Sequence, residues 1–509
     1  MSGFPRALSG LFAVVLVAGS ASAAPKAPDW VVRARATVLG TELLAATPPP
    51  SAAILWRQQI ITASPNARST RSFRREAVKI LTPEGKSAAV FHSSYDDDSK
   101  VDVEGAWTLH PDGSAEELKL SEVVTVQLAH AEYVSDTRVI AFQPPRLSAG
   151  DVAAFSLSRK SRRDVFQWVL PLQSDIPIAA EEVLVDLPEG WSHRWRLTAA
   201  PDGYAGPPAG RGGARASYLF GPQRASPDED LSPAMLDRIA TLEIAVEPPG
   251  GGSADLVFRT WNDVGAWFYR KSLPGRGEAP RELLHAEASV TEVARWLQEK
   301  IRYVALEVGE AAYAPREPAL VARRLYGDCK DKTFLAIALL ARGGTEALPV
   351  LTRPRGDGAI DPEFPSPVQF NHLIAAVRVP KPTGLSAEIR LADGLAVLFD
   401  PTDVWTPYGQ LPASLQGARG LLVRADGAEL LQFPVSESRW NRLVRRIDAR
   451  ISMGHHLTAT VTEITEGALA GRARYQGMSP PERQDFVSRF VSRQVPSARA
   501  SDLRLVNLE

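Results

Sequence analysis

Apolar and polar side chains alternate over much of the first half of the chain. Val101/Val103, Val124/Val126/Leu128, Phe166/Trp168/Leu170, Val183/Val185/Leu187 and Leu242/Ile244/Val246 each recur at every second residue. That is the period of a strand with one buried face. Pro83-Glu84-Gly85, Pro111-Asp112-Gly113 and Pro188-Glu189-Gly190 punctuate these runs as turns. Many short strands with such punctuation predict an antiparallel β-sandwich over residues 24–250, built of two stacked sheets. Within it, Pro201 to Arg215 reads as a loose Gly/Pro-rich connection, and Pro248-Pro249-Gly250-Gly251-Gly252 as a boundary.

Beyond that boundary the period lengthens. Trp261 to Lys271 carries Val264, Trp267 and Phe268 on one helical side. Ser289 and Glu292 form a capping box, followed by Val290, Val293, Leu297 and Ile301 at three-to-four spacing, read as core packing. Thr333 to Arg342 is helical and stops at Gly343-Gly344. Strand-like runs follow at Ala347 to Thr352, Phe370 to Val379 and Ala396 to Phe399. Helices first and strands afterwards predict an α+β domain over residues 255–425.

Residues 430–509 return to alternation. Ile447/Ala449/Ile451 and Leu457/Ala459/Val461 flank Gly454 as a hairpin, and Ser479-Pro480-Pro481-Glu482 caps a helix with Phe486, Val487, Phe490 and Val491 on its apolar face. Two strands and one helix are thin for a core of their own. This segment is therefore expected to dock on its neighbours. The predicted fold class is multidomain α+β.

Composition narrows the partners. Of 509 residues, 44% are hydrophobic and 23% charged, enough apolar matter for several cores without disulfides. Lys+Arg number 58 against 59 Asp+Glu, a formal net charge of −1, so no electrostatic case exists for nucleic acid or an anionic membrane surface. Arg6, the apolar run Leu8 to Ala18 and the small residues Ala21-Ser22-Ala23 predict a signal peptide, residues 1–23, cleaved after Ala23. The apolar run is about half the ~20 residues of a spanning helix. No later stretch is long enough to span, and no Cys stands at the cleavage point for a lipid anchor. The mature protein is expected to be periplasmic or secreted.

Cys329 is the single cysteine, so an internal disulfide is impossible. A free Cys is commonly a small buried hydrophobe, and its surroundings must decide. Asp328 suits an N-cap with Asp331 three residues on, so a helix is expected to begin at Cys329 or within a residue of it. The exposed N–H groups and positive dipole end of a first turn favour thiolate over thiol, and the Cys329 N–H would point at a developing oxyanion. Lys330 and Lys332 add positive charge, while Asp328 and Asp331 oppose it. Among eight His residues, His372 stands within an apolar strand of the same domain. A lone His in such a strand is more often a satisfied core residue. A His base needs an acceptor to fix its tautomer. Asp400, where the next strand ends, offers one, with Asp403 as a fallback; either could instead form a turn.

Tyr326-Gly327-Asp328-Cys329-Lys330-Asp331, Asn371-His372 and Phe399-Asp400-Pro401-Thr402 resemble the three signature blocks of the bacterial transglutaminase-like superfamily. The wider chain, from about residue 50 to 410, is similar to a branch in which an uncharacterised β-rich domain comes first. Thr260-Trp261-Asn262-Asp263, Ile301-Arg302-Tyr303 and the stretch after Lys79-Ile80-Leu81-Thr82 fit that branch. The resemblance implies a papain-type fold with Cys329 as nucleophile, His372 as general base and acid, and Asp400 as its partner. Tyr326, Gly327, Asp328 and Asn371 fall in the same blocks as candidate substrate or oxyanion supports. The implied reaction is acyl transfer or hydrolysis on a peptide, protein or cell-wall peptide, through a thioester and without metal or cofactor. The competing reading is a non-catalytic binding or scaffold protein with a degenerate central domain. Trp296 and Tyr303 read as core, Asp96-Asp97-Asp98 with Asp102 and Glu104 as a solvated turn rather than a calcium loop, and His455-His456 as a poor chelate because adjacent strand residues face opposite ways. The Arg pairs at 162/163 and 445/446 read as surface charge.

Overall fold

The computed structural model describes residues 27–506 apart from 47, 128–132, 136, 163–164, 228, 230–231, 252–256, 286–287, 308–312, 455, 468–474, 476–477 and 496–497. The signal segment 1–23, Leu128, Arg163, Gly252 and His455 therefore lie outside the described residues. The chain is a mixed α+β protein, rich in strands and built of several sheets.

The alternating first half forms a seven-stranded sheet. Its spatial order is Arg215–Phe220, Glu181–Asp186, Ala52–Ala63, Thr70–Ile80, Val152–Ser161, Ser99–Leu109 and Ala115–Glu117. A four-stranded sheet, in the order Gln167–Pro171, Thr241–Glu247, Ser192–Leu197, Ala209–Gly212, packs on one part of it. Ile61, Val183 and Val185 from the large sheet meet Leu170, Leu242, Ile244 and Val246 from the small one in a single apolar core. A three-stranded sheet covers another part, where Phe91, Ile140 and Phe142 pack with Val78, Ile80 and Phe155. The helix Asp29–Arg35 contributes Val31 and Ala34 to a further cluster with Leu55, Ala77, Trp107 and Ala154. The expected layering of sheets is present.

Two expectations for this region need correction. The sandwich is not purely antiparallel, because Arg57–Ile61 runs parallel to Glu181–Val185. Long-range parallel pairing leaves no trace in local alternation, since it depends on which distant strand arrives beside which. The Pro201–Arg215 stretch is also not merely loose, because Ala209–Gly212 pairs with His193–Arg196. Its glycines fit the close approach: a Cβ on Gly212 would meet the His193 ring at 2.2 Å, and one on Gly210 would meet the Trp195 indole at 3.0 Å. Pro83-Glu84-Gly85 breaks the strand run as expected, opening a 3₁₀ turn over Pro83–Ala89.

The second half follows the lengthened period. Helices Trp261–Lys271, Val290–Lys300, Pro318–Arg324 and Cys329–Arg342 precede an antiparallel six-stranded sheet. Its order is Glu388–Leu391, Gly394–Phe399, His372–Val379, Ala347–Thr352, Arg419–Val423 and Ala428–Gln432. Capping boxes at Thr260/Asp263 and Ser289/Glu292 set two of the helix starts. The Cys329–Arg342 helix buries Phe334, Leu335, Ala336, Leu339 and Leu340. Leu335, Leu339 and Leu340 share a core with Val293, Leu297, Val377 and Phe399, which seats the helix on the sheet. Thr333 Oγ1 donates to the Leu373 carbonyl at 3.0 Å and pins helix to strand one residue beyond His372.

Leu443–Ile451 and Leu457–Thr465 form the expected hairpin. Among the described residues the expected docking is not seen: every residue of the first strand is exposed, and all but Thr465 of the second. No described residue of the Pro480–Gln494 helix is buried, and Phe490 stands 44% exposed. Phe486 makes a local ring contact with Tyr475. Among the described residues no helix is long and apolar enough to cross a membrane.

Candidate active site

Asp328 sits at the N-cap of Cys329–Arg342 in extended backbone, and its Oδ1 accepts from the Lys330 and Asp331 N–H groups at 2.9 and 3.1 Å. Asp331 reaches back to the Asp328 N–H, completing the box. Cys329 is therefore the first helical residue, half-buried, with its own amide outside the cap. The chain enters this helix from Pro318–Arg324 through Leu325, in left-handed backbone at φ 56°. Tyr326–Gly327 then pairs in parallel with Arg302–Tyr303. Gly327 is required by space, because a Cβ there would stand 2.6 Å from Asp331 Cβ.

His372 opens the central strand of the six-stranded sheet, and Asp400 follows the end of the adjacent strand Gly394–Phe399. Neighbouring antiparallel strands carry the two side chains to the same edge. His372 Nε2 lies 2.9 Å from Asp400 Oδ2, and both side chains are nearly withdrawn from solvent. With Nε2 committed to Asp400, Nδ1 is left for the sulfur. Burial works against a charged His372, but the Asp400 charge and hydrogen bond, with smaller hydrogen-bond and charge contributions from Cys329, push its pKa up to about 10. Burial would raise Asp400, yet the His372 charge and hydrogen bond and two bonds from Thr402 leave its carboxyl below the usual range. Thr402 supplies them from N–H at 2.9 Å and Oγ1 at 2.7 Å, both to Oδ1. At neutral pH the arrangement is an imidazolium held by a carboxylate.

The four charged residues around Cys329 do not act as loose local charges. Lys330 Nζ pairs with Asp328 Oδ2 at 2.7 Å, and burial, which opposes its charge, is outweighed by Cys329 and Asp328. Asp331 accepts from Arg316 N–H at 2.8 Å and from its guanidinium at 2.9 Å. Lys332 is fully buried, donates from Nζ to the Ile301 carbonyl at 2.7 Å and faces the Asp400 charge. Burial lowers its pKa to about 8 against the opposing pull of Asp400. Arg316, Thr402 and the Ile301 carbonyl are parts of this framework to which the sequence reading assigned no role at the site. Only Thr402, two residues from Asp400 in an Asp-Pro-Thr turn, carried a local signal.

The remaining candidates are placed as follows. Tyr326 and Gly327 line the approach to the helix start through their strand pairing. Asn371 is exposed, and its amide donates to Asp357 Oδ2 at 2.8 Å rather than toward Cys329. Asp403 forms a local turn, accepting from Trp405 N–H and Thr406 Oγ1. Trp296 packs against the core beneath the helix. Asp96 is tied to Ser99, Asp97 to Arg138 and Asp102 to Lys100. No group of three or more candidate metal ligands exists among the described residues.

Comparison with known proteins finds a family match and a similar fold. Residues 66–218 match the family described as a domain of unknown function with a solved structure, DUF3857. No curated protein is similar in sequence. The crystal structure of a suspected protease from Parabacteroides distasonis is similar in fold, with TM-score 0.55 at 13% identity, over 76% of this chain and 72% of that one. Leukotriene A4 hydrolase of Saccharomyces cerevisiae, at TM-score 0.21 and 9% identity over 38% of this chain and 29% of that one, is too distant to carry an argument. The same holds for an M1 zinc metallopeptidase of Deinococcus radiodurans, at TM-score 0.19 and 11% identity over 38% and 42%.

Proposed function

We propose that this chain is an exported cysteine-dependent acyltransferase or peptidase of the transglutaminase-like kind, acting on peptide-type amides. Cys329 is the nucleophile, His372 the acid and base, and Asp400 the carboxylate that orients His372. The observation carrying this reading is the convergence of three separate segments. A helix-start thiol interacts with an imidazole that is itself held 2.9 Å from a buried carboxylate. The fold shared with a suspected protease supports a peptide-directed activity.

In the proposed reaction the Cys329 thiolate attacks the amide carbonyl carbon. A C–S bond forms and the carbonyl pair moves onto oxygen, with the Cys329 N–H as one donor for that oxyanion. Collapse breaks the C–N bond, and the departing nitrogen takes the His372 proton, releasing an amine or ammonia and leaving a thioester. Neutral His372 then removes a proton from water or an acceptor amine as it attacks the thioester. The thiolate departs, His372 keeps the proton, and the starting ion pair is restored.

The test uses quenched-fluorescent casein for cleavage and biotinylated cadaverine for amine incorporation. Wild-type protein is expected to give at least one of these, with a loss of about 10³-fold or more in Cys329→Ala, since the nucleophile then has no substitute. Equal turnover by Cys329→Ala would contradict the proposal. A wild-type chain inert in both assays would favour the non-catalytic binding reading.

A further inference from the structure

A cleft of about 660 Å³ lies where the four-stranded sheet faces the 353–369 loops of the central region. None of Cys329, His372 and Asp400 lines it. Along the strands Gln167–Pro171 and Thr241–Glu247, the residues that face the sandwich core are Leu170, Leu242, Ile244 and Val246. Gln167, Val169, Thr241 and Glu243 instead line the cleft.

Glu243 is 2% exposed, and its Oε2 is buried without a hydrogen-bond partner. Arg196, directly opposite it on the neighbouring strand, turns instead to Asp361 at 3.2 Å and Glu363 at 3.9 Å. Gln167 is 7% exposed; its amide donates to the Pro365 carbonyl at 3.0 Å, which leaves Oε1 buried with no donor. Two acceptors without donors thus belong to residues that line one cleft, and each such buried unsatisfied group is destabilising until it gains a partner. Each arginine of the walls donates to protein carbonyls. Arg353 Nη2 donates to the Val368 carbonyl, Arg419 Nη1 to the Ile360 carbonyl, and Arg238 to the Pro233 and Pro227 carbonyls and Ser226. Arg353 Nε is buried without an acceptor, so one acceptor on a ligand would be matched there. Ile239, Ile360, Pro362 and Val368 supply apolar wall. The volume is ordinary for a small organic ligand.

We infer that this cleft binds an organic ammonium ion, its head at Glu243 and Gln167 and its apolar body along Ile239, Ile360 and Val368. A donor-rich cation satisfies both orphaned acceptors and adds counter-charge at Glu243, which makes no ion pair with Arg196 because that guanidinium is paired with Asp361 and Glu363. An anion would meet an uncompensated acidic group beside Asp361. Burial and the Asp361 charge, opposed by Arg196, push the Glu243 pKa up to about 8, as expected of a carboxyl still lacking its cation. Asp237, Arg238, Arg353 and Arg419 are the other charged groups of the walls. The inference is independent of the thiol chemistry.

The probe is 2-phenylethylamine, with 2-phenylethanol and 3-phenylpropionate as neutral and anionic controls, measured by calorimetry at pH 7. Saturable binding of the amine alone is expected, at least about tenfold weaker in Glu243→Gln, which keeps the shape and removes the charge. Wild-type calorimetry in two buffers of different ionisation enthalpy is expected to reveal proton release, because a bound ammonium draws the neutral Glu243 carboxyl into ionisation. The inference is overturned by no saturable amine binding, by equal affinity in Glu243→Gln, by equal affinity for either control, or by binding without proton release.

Discussion

Asp400→Asn is expected to lower turnover on the order of 10⁴-fold, the scale known for the equivalent change in a serine-protease triad, while leaving the fold intact. Asn can still accept the two Thr402 bonds that Asp400 Oδ1 now takes. At the other position it presents an NH₂ group to His372 Nε2, where Asp400 now presents a carboxylate oxygen at 2.9 Å. That donor forces the imidazole proton onto Nδ1, the nitrogen facing the thiol, and His372 can no longer accept from Cys329. The charge that raises His372 to about 10 is lost as well. Because the folded pKa lies above the ordinary 6.5, the stabilisation from imidazolium formation is complete below about 6.5 and is lost as pH rises through 10. In Asp400→Asn that pH-dependent stabilisation is expected to disappear, and the His372 titration seen by NMR to fall by several units. Unchanged turnover and an unshifted His372 in a folded Asp400→Asn protein would remove Asp400 from the mechanism.

Asp331→Ala is the change expected to cost the most stability, about 3–5 kcal/mol. Asp331 is 1% exposed and serves three donors: the Arg316 guanidinium, the Arg316 N–H and the Asp328 N–H. Its removal leaves a part-buried guanidinium without its carboxylate and undoes half of the capping box at the helix that carries Cys329. The added like charge beside Asp328 disappears too, a partial relief, since Asp331 raises the Asp328 carboxyl. For a domain of this size the loss corresponds to a melting temperature lower by on the order of 10 °C. Urea unfolding measures it directly. A midpoint within error of wild type would mean that the Arg316–Asp331 pair contributes nothing net.

How much of this could be read from the residues depends on whether the cause is local. The Cys329 helix start, the Ser289/Glu292 cap, the strand Ala347–Thr352 and the hairpin around Gly454 all appear where their patterns predict. In each, neighbours within a few residues decide the conformation. The parallel Arg57–Ile61/Glu181–Val185 pairing was invisible because more than a hundred residues separate the partners. Shorter separations hid the destinations of the charges as well. Asp331 finds Arg316 and Lys332 finds Ile301 and Asp400 only after helix, loop and sheet have packed. Asn371 adjoins His372 in sequence, yet as the residue before a strand it points to Asp357. The hairpin's alternation was a sound strand signal, whereas the docking expected of so thin a segment is not seen among the described residues, because alternation reports an apolar face and not what covers it. The unpaired Glu243 gave no sequence signal at all, lying in a Leu-Glu-Ile-Ala-Val alternation like any solvent-facing strand residue.

The most direct test of the central claim is the pH dependence of Cys329 alkylation by iodoacetamide in the folded protein, with His372→Ala as control. Fast labelling that persists well below the ordinary thiol range near ~8.5, and slows in the control, is the predicted result. Labelling that follows a plain thiol in both proteins, or that waits for unfolding, would contradict an activated Cys329.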